Sequence, residues 1–203
     1  MIPAKYKEFF NRLFEPPAKL LIERGLSPNQ ITLAGLALGI VVCGIFIWTK
    51  NVLLFIVLIV FSGLFDLLDG VAARLSGKVT KFGGYLDAVC DRFFEGFVML
   101  TVAYVTGYWV LIFLIVIGSI TVSYAKARAA MEVPITNLEW PDFMERSERG
   151  IIFLAGLLIS DVTHITVGDK DLFFWVLVAL LIAIYGTVIQ RVFRARQYIE
   201  TRG

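Results

Sequence analysis

Four aspartates within 26 residues have the clearest capacity for chemistry in this 203-residue chain. Asp66 and Asp69 are three apart, and Asp87 and Asp91 are four apart, so each pair shares one face of a helix. A turn around Ser76-Gly77-Lys78 would bring the two helix ends together, and four carboxylates would then converge on one small volume. Each aspartate near the middle of a membrane span costs roughly 2.5–3.5 kcal/mol, and less towards the interface. The four also repel one another. Such a cluster persists only if cations neutralise it. Ion pairs with Arg74 and Arg92 would use some of the acids but not all four. All-oxygen ligands suit Mg²⁺, Mn²⁺ or Ca²⁺, and neither His nor Cys is placed to favour zinc. Two ions shared between the helices would fit four carboxylates. A pair of ions can clamp a diphosphate and stabilise its leaving oxygen.

Small residues flank the acids. Gly70, Ala73 and Gly83 leave room for a flat nucleobase and its ribose to approach the backbone, or for close helix packing. A second cluster is basic. Ser123, Tyr124, Lys126 and Arg128 close one apolar segment, Glu145-Arg146-Ser147-Glu148-Arg149 opens the next, and Arg191 and Arg194 close the last. Planar arginine forks suit phosphate, so Lys126, Arg146 and Arg149 point to an anionic acceptor. A free alcohol would not need these extra cations. Arg194, Arg196 and Arg202 read instead as ordinary cytoplasmic-side charge or contacts to lipid headgroups.

The elements that must position these groups are membrane helices. Hydrophobic residues make up 58% of the chain and charged residues only 18%, below the usual quarter for a soluble domain. A span needs about 20 mainly apolar residues. Six segments qualify: 30–49, 52–72, 84–106, 108–126, 149–166 and 172–192. The fold expected is therefore an all-α integral membrane protein, with residues 29–203 forming one six-helix domain. Residues 1–28 mix lysines and arginines with Phe9, Phe10, Leu13, Phe14, Leu20 and Leu21, which predicts an amphipathic helix in the interface, bent at Pro16 and Pro17. These residues lack the compact apolar stretch of a cleavable signal. Ser27 or Asn29 would cap the first span. Sixteen of the 19 Lys and Arg fall on the side of the N-terminus, which makes that side cytoplasmic and puts both termini and the acids there, in a multi-pass protein of the cell membrane. Cys43 and Cys90 read as buried small hydrophobes. His164 lies at the far end of the fifth span, away from the acids. The charge pattern suits membrane lipids as partners and no nucleic acid.

The run DxxDGxxAR, eight residues, then GxxxDxxxD resembles the signature of the CDP-alcohol phosphatidyltransferases. All eight fixed positions are present, as Asp66, Asp69, Gly70, Ala73, Arg74, Gly83, Asp87 and Asp91. The resemblance implies that Asp66, Asp69 and Asp87 hold metal, that Asp91 binds metal and acts as the base, and that Arg74 contacts the diphosphate of a CDP-lipid. It implies that Gly70, Ala73 and Gly83 admit the cytidine, that Asp66 and Asp69 also line the CDP-lipid site, and that the protein is a homodimer. The reaction implied is attack of an acceptor hydroxyl on the β-phosphorus, with CMP leaving, in phospholipid biosynthesis.

SYAKARA followed by ERSER is similar to the inositol-phosphate branch of that family. That resemblance implies a phosphate pocket of Ser123, Lys126, Arg146 and Arg191, with CDP-diacylglycerol or CDP-archaeol as donor. The segment from Met131 to Met144 is less Gly-rich than in that branch. A synthase using glycerol 3-phosphate, of the phosphatidylglycerophosphate type, is the nearest alternative. An ion-coupled transporter is a distant one, because the acids sit in a single stretch and no repeat is visible. A membrane scaffold gives no reason for four clustered acids.

Overall fold

The computed structural model describes residues 4–133 and 144–202, with side chains from residue 13 to residue 201 within those ranges. The less Gly-rich segment noted above falls largely outside the described residues. The chain is helical in its described parts apart from one short hairpin, and it divides into two compact units, residues 1–101 and 102–203.

The first unit holds α1 (Ala4–Glu23), α2 (Pro28–Thr49), α3 (Val52–Leu75) and most of α4 (Lys81–Thr106). Ser27 caps α2 as expected. Gln30 N–H donates to the Ser27 hydroxyl at 3.4 Å, and the Gln30 side chain accepts from Ser27 N–H at 2.8 Å, a capping box with proline at the first helical position. Asn51 caps α3 by accepting from Leu54 N–H at 2.9 Å. Small residues then let backbones approach, as membrane helices favour. A Cβ on Gly35 would sit 2.8 Å from the Phe65 Cβ, and one on Gly39 would sit 2.5 Å from the Phe94 ring. Ser62 donates to the Gly35 carbonyl at 3.0 Å and ties α3 to α2.

The helix α1 continues through Pro16 and Pro17. Part of its apolar side is not available to lipid. Phe14, Ala18, Leu21 and Ile22 pack with Ile31, Leu68, Val71 and Ala72, so the helix docks on the end of α3 that carries the acids. Its ion pair between Lys19 and Glu15, at 2.7 Å, is exposed and adds little.

The second unit holds the end of α4, α5 (Trp109–Glu132), α6 (Arg146–Thr163), the hairpin β1 (Thr166–Val167) and β2 (Lys170–Asp171), and α7 (Leu172–Arg202). The strands pair antiparallel, Thr166 opposite Asp171 and Val167 opposite Lys170. Glycines again set the close approaches. Gly118 of α5 faces Ile184 and Tyr185 of α7, and Gly156 of α6 faces Val176. Ser160 accepts from Phe173 N–H at 3.1 Å. His164 ends α6 in the left-handed conformation (φ 50°) and is exposed.

Among the described residues four helices, α2, α3, α5 and α7, are long and apolar enough to cross a membrane, and the protein is membrane-embedded. α4 and α6 have the length but interrupt their apolar runs with charge. α4 carries Asp87, Asp91, Arg92 and Glu95, and α6 carries Arg146, Glu148, Arg149 and Asp161. Cys43 and Cys90 are free and buried, in keeping with the reading from sequence.

Candidate active site

Chain direction assembles the acidic site. α2 begins, α3 ends and α4 begins around one cavity of about 310 Å³. α2 contributes Pro28, Asn29 and Thr32. α3 contributes Asp69, Gly70, Ala73 and Arg74. The connecting turn gives Lys78, Val79 and Thr80, and α4 gives Gly83, Gly84 and Asp87. Six of the eight signature positions thus line one space: Asp69, Gly70, Ala73, Arg74, Gly83 and Asp87. Gly77, at φ 65°, supplies a backbone conformation that favours glycine in the turn between α3 and α4.

The remaining acids gather beside it with Asp87. Asp66, Asp87 and Asp91 each offer a carboxylate oxygen, and these oxygens all lie within 4.8 Å of one another. Two ligands of one divalent cation are at most ~4–5 Å apart. The donor set is all oxygen and partly shielded: Asp87 and Asp91 are half-buried and Asp66 is exposed. It therefore fits a hard divalent cation.

Asp69 lines the cavity together with Asp87. It is buried, and the Thr32 hydroxyl donates a hydrogen bond to its Oδ2. The same hydroxyl lies 3.2 Å from the Pro28 carbonyl. Sequence reasoning did not place Thr32, Asn29 or Thr80 in the site, and took Asn29 only as a candidate helix cap. The available signal was that Asn29 and Thr32 are polar, three apart and at the start of an otherwise apolar span. Thr80 caps the opening of α4 by accepting from Gly83 N–H at 2.9 Å. A Cβ on Gly83 would meet Thr80 Oγ1 at 3.1 Å and Asn29 Oδ1 at 3.3 Å, so any side chain there would have to push both back by a few tenths of an ångström. Arg92 sits 4.0 Å from Glu95 of its own helix.

The basic residues belong to the second unit. Ser123 and Lys126 lie half-buried on α5, and Ser123 donates to the Ser119 carbonyl at 3.2 Å. Arg146 is half-buried at the first turn of α6. Arg149 and Arg191 are buried charges with backbone partners. Arg149 Nη1 donates to the Met144 carbonyl at 3.0 Å, and Arg191 Nη1 donates to the Val122 carbonyl, which joins α7 to α5. Arg128 and Arg196 pair with Glu132 and Glu200, each four residues further along.

The chain belongs to the CDP-alcohol phosphatidyltransferase family, whose model matches residues 26–185. It is 35% identical to the archaetidylinositol phosphate synthase of Pyrococcus horikoshii over 184 residues, 90% of each chain. The crystal structure of Mycobacterium tuberculosis phosphatidylinositol phosphate synthase with CDP-DAG bound is similar at 28% identity and a TM-score of 0.79, covering 91% of this chain and 94% of that one. The same enzyme in complex with manganese and citrate is similar with a TM-score of 0.78, again at 28% identity, covering 90% of this chain and 88% of that one.

Proposed function

We propose that this protein transfers a phosphatidyl-type group, diacylglycerol phosphate or archaeol phosphate, from a CDP-lipid to inositol phosphate and releases CMP. The observation that carries the reading is the cavity in which Gly70, Ala73, Arg74 and Gly83 line one space with Asp69 and Asp87, next to the Asp66–Asp91 cluster. The likeness to the two inositol-phosphate enzymes supports the choice of acceptor.

Asp66, Asp69, Asp87 and Asp91 would hold the metal, two Mg²⁺ ions with Mn²⁺ able to replace them. When bound, divalent cations supply charge neutralisation for the diphosphate and the departing CMP. The chain's own residues do the rest. Gly70, Ala73 and Gly83 leave the cavity wall open to the cytidine, and the Arg74 guanidinium binds the diphosphate. The starts of α2 and α4 present the positive ends of their helix dipoles to the same cavity. Asp91 takes the proton from the acceptor hydroxyl, whose oxygen attacks the β-phosphorus. The bond from that phosphorus to the bridging oxygen breaks, and CMP leaves with the electron pair. A base in hydrogen-bond reach contributes roughly 10²–10⁴-fold.

Ser123, Lys126, Arg146, Arg149 and Arg191 bind the acceptor phosphate in this reading. Lys126 and Arg146 offer accessible charge, while the backbone bonds of Arg149 and Arg191 hold their guanidinium planes in place. α4 and α6 complete a six-span topology as one domain over residues 29–203. The segment 1–28 lies at the cytoplasmic interface, both termini and the acids face the cytoplasm, and the protein works as a homodimer. The charge asymmetry of the sequence supports the orientation. Activity with purified protein, a CDP-lipid and each acceptor in turn tests the function. Release of CMP only with glycerol 3-phosphate would move the protein to the other synthase class.

A further inference from the structure

We propose that Thr32 is a positioning residue for the transfer reaction, one that fixes the Asp69 carboxylate and thereby sets the affinity of the aspartate site for its divalent cation. This inference rests on the metal-site reading above.

The bond from Thr32 to Asp69 crosses from α2 to α3, between residues far apart in sequence. The carboxylate torsion of aspartate is broad and roughly two-fold, so nothing within Asp69 itself fixes the plane of its oxygens. The Thr32 hydroxyl does so by engaging Oδ2, which leaves Oδ1 with a defined direction. Thr32 is suited to hold still. Its β-branch restricts χ1, and the Pro28 carbonyl one turn earlier, at 3.2 Å, offers the hydroxyl a second acceptor from much the same position. Both side chains line the cavity, so the bond is made at the site and not behind it. Partners that orient ligating carboxylates are worth about 10–100-fold in metal affinity or activity.

The test compares full-length Thr32→Val, Thr32→Ser and Asp69→Asn proteins with the parent. Mn²⁺ binding is measured by calorimetry without CDP-lipid, and thermal melting is measured without metal. Thr32→Val keeps the shape and removes the hydroxyl. It should bind Mn²⁺ about 10–100-fold more weakly while its metal-free melt stays close to the parent's. Thr32→Ser should restore most of the affinity. Thr32→Ala gives the same readout if the valine variant does not fold. Parent-like Mn²⁺ binding by Thr32→Val, alongside weakened binding by Asp69→Asn, overturns the role of Thr32 and leaves the metal reading standing. Parent-like binding by Asp69→Asn overturns the metal role of Asp69 and the inference with it. Affinity and metal-free melting that fall together in Thr32→Val, without rescue by serine, make Thr32 structural only.

Discussion

Asp66 of α3 and Asp91 of α4 place carboxylate oxygens within 4.8 Å of each other, with Asp87 completing the group. This arrangement is costly without a counter-charge, since like charges so close repel and the partial burial of Asp87 and Asp91 adds to the penalty. Two helices nevertheless present their acids to the same point. That convergence is the feature of the first unit hardest to explain by packing.

Removing the charge of Asp91 while keeping its shape tests the proton-transfer role. Asp91→Asn should lower kcat by at least about 10²-fold. Its elution from a sizing column and its thermal melt should stay near those of the parent. An Asp91→Asn enzyme that turns over normally would remove Asp91 as the base.

Metal dependence follows from the all-oxygen cluster. Chelation should abolish CMP release, and Mg²⁺ or Mn²⁺ should restore it. Asp66→Asn should raise the metal concentration for half-maximal rate by about 10-fold or more. Full activity of the parent after exhaustive chelation would rule out the metal reading.

How far the sequence showed this site depends on the element. The spacing of Asp66, Asp69, Asp87 and Asp91 was sufficient to pair the end of α3 with the start of α4, because i,i+3 and i,i+4 geometry is local. The Ser27 cap was legible for the same reason. Thr32 was not, because its partner Asp69 is a tertiary neighbour, and the spacing of Thr32 from Asn29 marks a polar helix start without naming that partner. The docking of α1 on α3 was hidden too. An amphipathic face looks the same whether lipid or protein covers it, and here Ala18 and Leu21 meet Leu68 and Ala72. Sequence could place Arg149 and Arg191 among the basic residues but not show that both are buried and bond to backbone carbonyls, because those partners are set by tertiary packing.

The cavity wall makes a steric prediction. Gly83→Leu would drive a side chain past Thr80 Oγ1 and Asn29 Oδ1, which already stand 3.1 Å and 3.3 Å from a Cβ there. The KM for the CDP-lipid should rise by about 10-fold or more, as misplacement of a reactant by ~1 Å can cost ~10²-fold. Steady-state kinetics at saturating acceptor checks this. An unchanged KM would place the cytidine elsewhere.

Close helix packing predicts a contrast between two glycines of α2. Gly39→Ala brings a Cβ to 2.5 Å from the Phe94 ring and should destabilise by about 1–3 kcal/mol. Gly44→Ala meets nothing within 4 Å and should be neutral or slightly stabilising, since alanine favours the helix by up to ~1 kcal/mol. Thermal melts in detergent compare them, and equal shifts would contradict the packing described for α2.

The basic residues divide by burial. Arg149→Ala should cost about 1–3 kcal/mol of stability, because the buried Met144 carbonyl loses its donor. Lys126→Ala removes a half-buried charge and should raise the KM of the acceptor more than that of the CDP-lipid. Equal effects on both substrates would take Lys126 out of the acceptor pocket.

The most direct test of the whole account is CMP release by the purified protein in detergent with Mg²⁺. CDP-diacylglycerol and CDP-archaeol are each supplied as donor. Inositol 1-phosphate, glycerol 3-phosphate, inositol and serine are each supplied separately as acceptor. The account predicts release with inositol 1-phosphate and not with the other three. Well-folded protein that releases no CMP with any pairing would contradict it.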